Sequence, residues 1–194
     1  MRRMSDCAAP FGEARLDEWI SRYAPLIGRR IKALIWMPMT SDTPALVSAY
    51  KSSSFSFTGA VFIAFEPKDQ LFLTWRQKGG DTFLGAGPDF AWNDFALDRV
   101  RCDPNETWGA IEGGTLASAE LFSAPSLIEE LSTTQTEERI VGVRHEIDTS
   151  DGRIQFWIGT GGEDFVGDND DMWGGVGLDP PNVAELTKLT RVTG

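Results

Sequence analysis

Acidic side chains are concentrated between Glu163 and Asp179, where their chemistry could serve calcium or a basic protein. The stretch VGDNDDMWGGVGLDPP, residues 166–181, holds four aspartates and four glycines around one Trp and contains no base. Carboxylate oxygens are preferred calcium ligands, and the candidate ligands are Glu163, Asp164, Asp168 and Asp170. The same acids could instead attract a basic partner through long-range electrostatics.

An apolar pair, Met172 and Trp173, lies inside this acidic stretch. An exposed indole ringed by charged side chains is the arrangement expected of a hot spot in a protein interface. The sequence therefore predicts a partner-binding loop, and the alternative is that Trp173 covers the end of a hairpin. The predicted binding set is Asp168, Asp170, Asp171, Met172, Trp173 and Asp179.

The segment NDDMWGGVGLD, residues 169–179, resembles the calcium-binding nonapeptide repeats of RTX proteins, in which glycines form tight turns and aspartates bind calcium. Gly174, Gly175, Gly177 and Asp179 fit one repeat. The sequence departs from the pattern at Asp168, which replaces a glycine, and at Pro181, which replaces an inward-facing apolar residue. A third repeat is also missing. We therefore predict no resident metal, and a calcium site formed by the four acids is the alternative.

Residues that commonly perform catalysis are sparse in this chain. There is no nucleophile elbow, phosphate-binding loop or metalloprotease helix. The one histidine, His145, lies in a predicted strand, and Cys7 and Cys102 lack metal-ligand spacing, so we expect free thiols. The sequence predicts a protein that is not an enzyme and needs no cofactor, with an unrecognised hydrolase using its abundant carboxylates as an alternative.

The net charge of -11 is unevenly distributed. Residues 1–101 contain 13 Lys and Arg against 11 Asp and Glu, whereas residues 102–194 contain 5 against 18. Such an acidic half repels nucleic acid and anionic membranes and attracts basic proteins. No segment approaches the roughly 18 consecutive apolar residues of a membrane span, and we expect a cytoplasmic protein.

Hydrophobic periodicity and turn signals predict an N-terminal helix, a series of strands and one short later helix. Apolar residues at helical spacing predict an amphipathic helix over 13–24, ended by Pro25. Segments rich in Val, Ile, Phe, Trp and Thr predict antiparallel strands over 30–37, 45–50, 59–65, 71–76, 139–147 and 153–159. Asp151-Gly152 predicts a tight hairpin between the last two, and a capping box predicts a short helix over 126–131. The fold class is α+β, dominated by antiparallel sheet, in a single compact unit over 1–194.

Two segments resemble each other without gaps at an offset of 82 residues. Val61, Asp69, Trp75, Gly79, Gly80, Phe83, Gly85 and Asp89 recur as Val143, Asp151, Trp157, Gly161, Gly162, Phe165, Gly167 and Asp171. This predicts a tandem duplication of a β-hairpin unit, with repeats over 11–95 and 96–180. Trp75 and Trp157 are then equivalent packing residues, and the acidic stretch is the second copy of a loop that reads LGAGPDFAW in the first.

In overall character the chain resembles the immunity proteins of bacterial toxin systems, because it is small, rich in strands, acidic and free of catalytic motifs. The resemblance implies an inhibitor that binds a basic partner such as a nuclease toxin, without nucleic-acid or membrane binding of its own. A calcium-assisted or aromatic-lined carbohydrate-binding β module is the alternative from another class.

Overall fold

The computed structural model describes residues 16–41, 43, 53–78, 81–87, 98–101, 103, 106–123, 140–160, 172–177 and 186–194. The strand predicted over 45–50, the helix predicted over 126–131 and both cysteines lie outside these ranges. The described part is dominated by strands and contains one α-helix, so the predicted α+β class is confirmed.

The N-terminal helix α1 spans Leu16–Tyr23 and continues into a 3-10 turn over Ala24–Leu26. Its apolar residues recur every three or four positions, and Trp19 and Tyr23 are buried. Pro25 lies within the turn and ends the regular helix because proline has no amide hydrogen to donate. None of the helices in the described ranges is long and apolar enough to cross a membrane.

Eleven strands are assigned within the described residues. They are β1 Ile31–Pro38, β2 Ser54–Phe57, β3 Gly59–Phe65, β4 Gln70–Lys78, β5 Asp81–Gly87, β6 Val100–Arg101, β7 Thr115–Ser123, β8 Ile140–Thr149, β9 Gly152–Thr160, β10 Met172–Val176 and β11 Thr187–Thr193. A second 3-10 turn, Gly109–Ile111, precedes β7.

The strands form two antiparallel sheets. Sheet I has the order β5-β4-β3-β1-β6, and sheet II has the order β11-β7-β8-β9-β10-β2. The two sheets exchange strands between the halves of the chain: β2 pairs with β10 in sheet II, and β6 pairs with β1 in sheet I. Because of this exchange, each predicted repeat contributes to both sheets.

The main hydrophobic core takes side chains from both sheets and from α1. At its centre, the Trp36 ring on β1 contacts Phe55 and Phe57 of β2 and also Trp108 beside the second 3-10 turn. Aromatic pairs with edge-to-face geometry add to the free energy of burial. The side chains of the exchanged strand β2 therefore pack against sheet I, while its backbone pairs within sheet II.

Both segments of the predicted duplication form hairpins, β3–β4 and β8–β9, but their registers differ. Val61 lies opposite Leu73, 12 positions along the chain, and Val143 lies opposite Ile158, 15 positions along. The two separations differ by three residues, an odd number. Side chains that are aligned in the sequence comparison therefore point to opposite faces of their sheets in the second strands of the two hairpins. Trp75 belongs to the core between the sheets, whereas Trp157 belongs to a separate cluster. The predicted equivalence of these two packing residues is therefore wrong, and the duplication itself stays a prediction.

Candidate functional site

The structure describes two of the six residues in the predicted binding set. Met172 and Trp173 lie in β10, with relative exposures of 0% and 3%. Met172 packs into the main core, and Trp173 belongs to the second cluster. Their predicted role as an exposed apolar anchor is corrected by this burial, because side chains inside the fold cannot present an anchor to a partner. Asp168, Asp170, Asp171 and Asp179 lie outside the described residues, as do the candidate calcium ligands Glu163 and Asp164.

β10 is a strand rather than the predicted loop, and the glycines beside Trp173 are sites of close contact with indole rings. A Cβ atom on Gly174 would lie 2.8 Å from the Trp36 ring, and one on Gly175 would lie 2.8 Å from the Trp173 ring. Glycine lets large indole rings lie directly against the backbone, so close packing replaces the turn conformations that glycine usually indicates. The strand is paired on both edges, with β9 and with β2.

The outer face of sheet II, opposite the main core, contains an apolar cluster. Its buried members are Phe122, Val141, Trp157 and Trp173. The Trp157 ring lies over Gly142 on the neighbouring strand, where an added Cβ atom would come within 2.1 Å of the indole. Phe122 meets Trp157 edge to face, with ring centroids 5.2 Å apart. These rings cover the end of the sheet at which β7 and β8 connect to the undescribed segment 124–139.

Next to these rings, charged side chains from four strands form what we call the ionic cluster. Its members are Glu120 on β7, Arg144 and Glu146 on β8, Arg153 on β9, and Lys188 and Arg191 on β11. Alternation along β7 explains its position, because Glu120 points away from the core into which Ala119 and Leu121 point. The cluster and the rings thus share one face, and the guanidinium of Arg144 lies 5.4 Å from the centre of the Phe122 ring.

Glu120 is the most buried carboxylate of this cluster, with 3% of its side chain exposed. One carboxylate oxygen accepts a hydrogen bond from Nε of Arg144 at 2.7 Å, and the other accepts one from Nζ of Lys188 at 2.5 Å. Nη1 of Arg191 lies 3.8 Å from Oε1. Burial raises the pKa of Glu120, but the hydrogen bonds and charges of Lys188 and Arg144 outweigh burial and leave the pKa below its ordinary value. The carboxylate is therefore held ionised.

Glu146 is the second carboxylate and is 10% exposed. Its Oε2 accepts a hydrogen bond from the Ser118 hydroxyl at 3.0 Å and ion-pairs with Arg191, and its Oε1 accepts one from the Gln155 amide at 3.3 Å. Arg153 lies 3.5 Å away and also forms an exposed pair with Asp148. Glu146 is thus held by neutral hydrogen-bond donors and by cations together, which is the arrangement expected of a structural carboxylate.

The ionic cluster contains most of the bases in the second half of the chain but few of its acids. Of the five bases within residues 102–194, four belong to this cluster, and the fifth is Arg139. With Asp148 included, the cluster holds three carboxylates against these four bases. The other 15 carboxylates of residues 102–194 have only Arg139 as a base in that half of the sequence. Most of the acidic charge of this half is therefore not compensated by its own bases.

A second buried polar pair joins α1 to sheet II. The hydroxyl of Tyr23 and Nε2 of His145 lie 2.9 Å apart, and the His145 ring stacks on Phe156 with centroids 4.2 Å apart. Burial lowers the pKa of His145 to about 3, an effect that the backbone of Phe156 opposes only in part. The imidazole is therefore neutral at physiological pH. Both residues are enclosed by the core, which gives this pair a packing role, consistent with the predicted position of His145 in a strand.

Sequence reasoning missed the ionic cluster, although the sequence contains a signal for it. Glu120 is the one charged residue in the segment AELF, residues 119–122, and Lys188 and Arg191 lie three residues apart in the segment 187–193. A lone acid in an apolar strand requires a cationic partner, because an unpaired buried charge is costly. The pairing of β7 with β11, which the sequence does not reveal, decides which bases supply it.

Within the described ranges, no group of three or more His, Cys, Asp or Glu side chains could hold a metal ion. All six tryptophans that these ranges include are buried: Trp19, Trp36, Trp75, Trp108, Trp157 and Trp173. The chain matches no family model, and comparisons with curated proteins and with solved structures give no match.

Proposed function

We propose that this protein is an inhibitor that binds and neutralises a basic protein, in the manner of the immunity proteins of bacterial toxin systems. A nuclease toxin is the partner that the charge favours, because enzymes that bind nucleic acid expose basic surfaces. The proposal includes a cytoplasmic location, where such a toxin would reach its substrate.

The observation that carries this proposal is the separation of charges in the second half of the chain. The ionic cluster takes up four of its five bases on one face of sheet II. Among the other acids of this half, which include Asp168, Asp170, Asp171 and Asp179, most have no base within residues 102–194 to offset their charge. A potential of one sign accelerates association with an oppositely charged protein and suppresses wrong partners.

The burial of Trp173 changes how this interface is proposed to work. Without an exposed indole in β10, binding depends on the acids, and charge governs the rate of association more than the lifetime of the complex. The same burial weakens the carbohydrate-module alternative, since an aromatic platform for sugars needs an exposed ring and the six described tryptophans offer none.

The test uses the product of the reading frame adjacent to the gene as the candidate toxin. We expect it to be basic, to degrade nucleic acid, and to lose this activity when the full chain is added in equimolar amount. Co-expression should restore cell survival. A basic nuclease that remains fully active with excess chain would contradict the proposal, and adjacent frames that encode carbohydrate enzymes would favour the alternative.

Two charge variants locate the interface. Asp168→Asn/Asp170→Asn should slow association with the toxin, and the difference should shrink in high salt because ions screen rim charges. Asp17→Asn/Glu18→Gln is the matched control, since it makes the same change in net charge on the exposed side of α1. Equal rates for both variants would show that the acidic stretch is not the binding surface.

A further inference from the structure

We propose that the edge of β7 is an acceptor site for an extended basic segment of the partner protein, and that β11 occupies this site in the free chain. The acceptor site consists of the β7 edge with Glu120 and Glu146 beside it. The acceptor site itself does not depend on the proposed function. The inference that its occupant comes from an inhibited basic protein rests on that function.

The acceptor site recognises two positive charges on one side of a strand. Arg191 is paired in register with Glu120 and also reaches Glu146, and Lys188 donates a hydrogen bond to Oε1 of Glu120. A bulge between Lys188 and Thr190 brings these two bases to the same face. An occupant therefore needs an extended backbone and two bases spaced as they are in β11.

The contacts that hold β11 in this site are of kinds that another strand could reproduce. Val192 is its one buried side chain, while Leu189 packs partly against the core. Lys188 and Arg191 remain 48% and 40% exposed. The backbone of β11 also pairs with β7, and backbone pairing of this kind forms with any sequence, so β-strand addition by a partner can supply it.

The buried carboxylates decide which strands are accepted. If β11 left without a replacement, Glu120 would keep Arg144 and lose both Lys188 and Arg191. A neutral replacement strand would cover Glu120 again with one cation in place of three, which costs free energy, so a neutral strand is a poor substitute and a basic strand is a good one. This selectivity matches the sign of charge that the rest of the molecule attracts.

The partner segment must compete with a strand that is part of the same chain. An attached strand acts at an effective concentration in the millimolar range, so an isolated basic peptide is a weak competitor. A basic protein that also contacts the acidic surface gains the additional affinity that displacement requires. The acceptor site would thus open for a partner that carries both features.

Hydrogen exchange on the unmodified protein tests whether β11 can leave. We expect the backbone amides of β11 to exchange at least about tenfold faster than those of β8 and β9, through a local opening that spares the rest of sheet II. Equal protection of β11 and β8 would show that β11 leaves only when the whole protein unfolds, and this result would overturn the proposal.

Peptide binding tests what the site accepts. In the full chain with Lys188→Glu/Arg191→Glu, repulsion from Glu120 and Glu146 should free the β7 edge, and a labelled peptide of residues 186–194 should bind to it. The same peptide with both bases changed to Glu should bind at least about tenfold more weakly. Absence of binding by the unmodified peptide to a folded variant would overturn the proposal.

Should the charge reversal prevent folding, Lys188→Gln/Arg191→Gln supplies the same measurement with a milder change, and the hydrogen-exchange result needs no variant. If the toxin assay fails but the peptide binds, the proposed partner is wrong and the acceptor site still stands. Inhibition of a toxin without any opening of β11 would remove the acceptor site and leave the proposed function.

Discussion

The hydroxyl of Tyr23 lies 2.9 Å from Nε2 of His145, in a buried contact that joins the N-terminal helix to the middle of sheet II. Nδ1 of the same ring has no partner with hydrogen-bond geometry. Tyr23 also stacks on Trp19, so three aromatic rings link the helix to the sheet. The stability of the fold therefore depends on the protonation state of this one imidazole.

We predict that stability falls as the pH drops below 6.5. Burial lowers the pKa of folded His145 to about 3, whereas the unfolded chain takes up this proton near its ordinary pKa of about 6.5. Between these values the unfolded state binds the extra proton, so the free energy of unfolding decreases by up to about 1.4 kcal/mol per pH unit. Urea denaturation from pH 7.5 to 5 measures this slope, above the range in which ordinary carboxylates titrate.

His145→Gln should abolish the slope between pH 6.5 and 5, because the chain has no other histidine. Tyr23→Phe is the matched control: it removes the hydroxyl, should lower stability by about 1 kcal/mol, and should keep the slope. A His145 resonance that titrates near pH 6.5 in the folded protein would contradict the buried neutral imidazole.

Glu120→Gln should lower the free energy of unfolding by about 3 kcal/mol, because it removes the anion on which three bases converge. The contribution of Glu120 is present above its unfolded pKa and is lost as the pH falls through its lowered folded pKa. The variant should therefore lose less stability than the parent protein on acidification below pH 4.5. Asp148→Asn, at an exposed ion pair, should leave the denaturation midpoint almost unchanged, and equal effects of the two substitutions would contradict the cluster.

Gly142→Ala should destabilise sheet II by about 2 kcal/mol or more, because the added methyl group meets the Trp157 ring at 2.1 Å. Trp157→Leu in the same chain should recover part of this loss by making room for the methyl group. A double-mutant cycle measures the coupling. Additive effects of the two changes would show that the indole does not lie over Gly142.

Trp173→Ala should lower the free energy of unfolding by about 3 to 5 kcal/mol, as expected when a buried indole is removed. This outcome contrasts with the behaviour of an exposed anchor, whose removal would weaken partner binding and leave stability intact. Thermal denaturation of the isolated variant distinguishes the two. A midpoint equal to that of the parent protein would restore Trp173 as a surface residue.

Local signals in the sequence predicted the elements that local interactions determine. The spacing of Leu16, Trp19, Ile20 and Tyr23 predicted α1. Asp151-Gly152 predicted the β8–β9 hairpin, in which Gly152 has a φ of 122°. Strands β3 and β4 were predicted nearly to their observed bounds. In each of these cases the residues that decide the structure lie close together along the chain.

The elements that the sequence did not predict depend on distant partners. Strand β10 looked like a loop because its glycines, which usually mark turns, serve here as contact surfaces for Trp36 and Trp173. The ionic cluster depends on the pairing of β7 with β11, whose residues lie far apart in the sequence. The offset of 82 residues matched residue types, but it could not detect a three-residue change of register.

The exchange of β2 into sheet II has a consequence for how the chain is made. Met172 pairs with Phe57, so the pairing partner of β2 leaves the ribosome only after more than half of the chain has followed it. Sheet II therefore cannot be completed early in synthesis, because the backbone of β2 has no pairing partner until β10 has been made. Contacts of this kind slow folding and leave the growing polypeptide open to aggregation. The early half thus lacks these pairing partners until β10 has been synthesised.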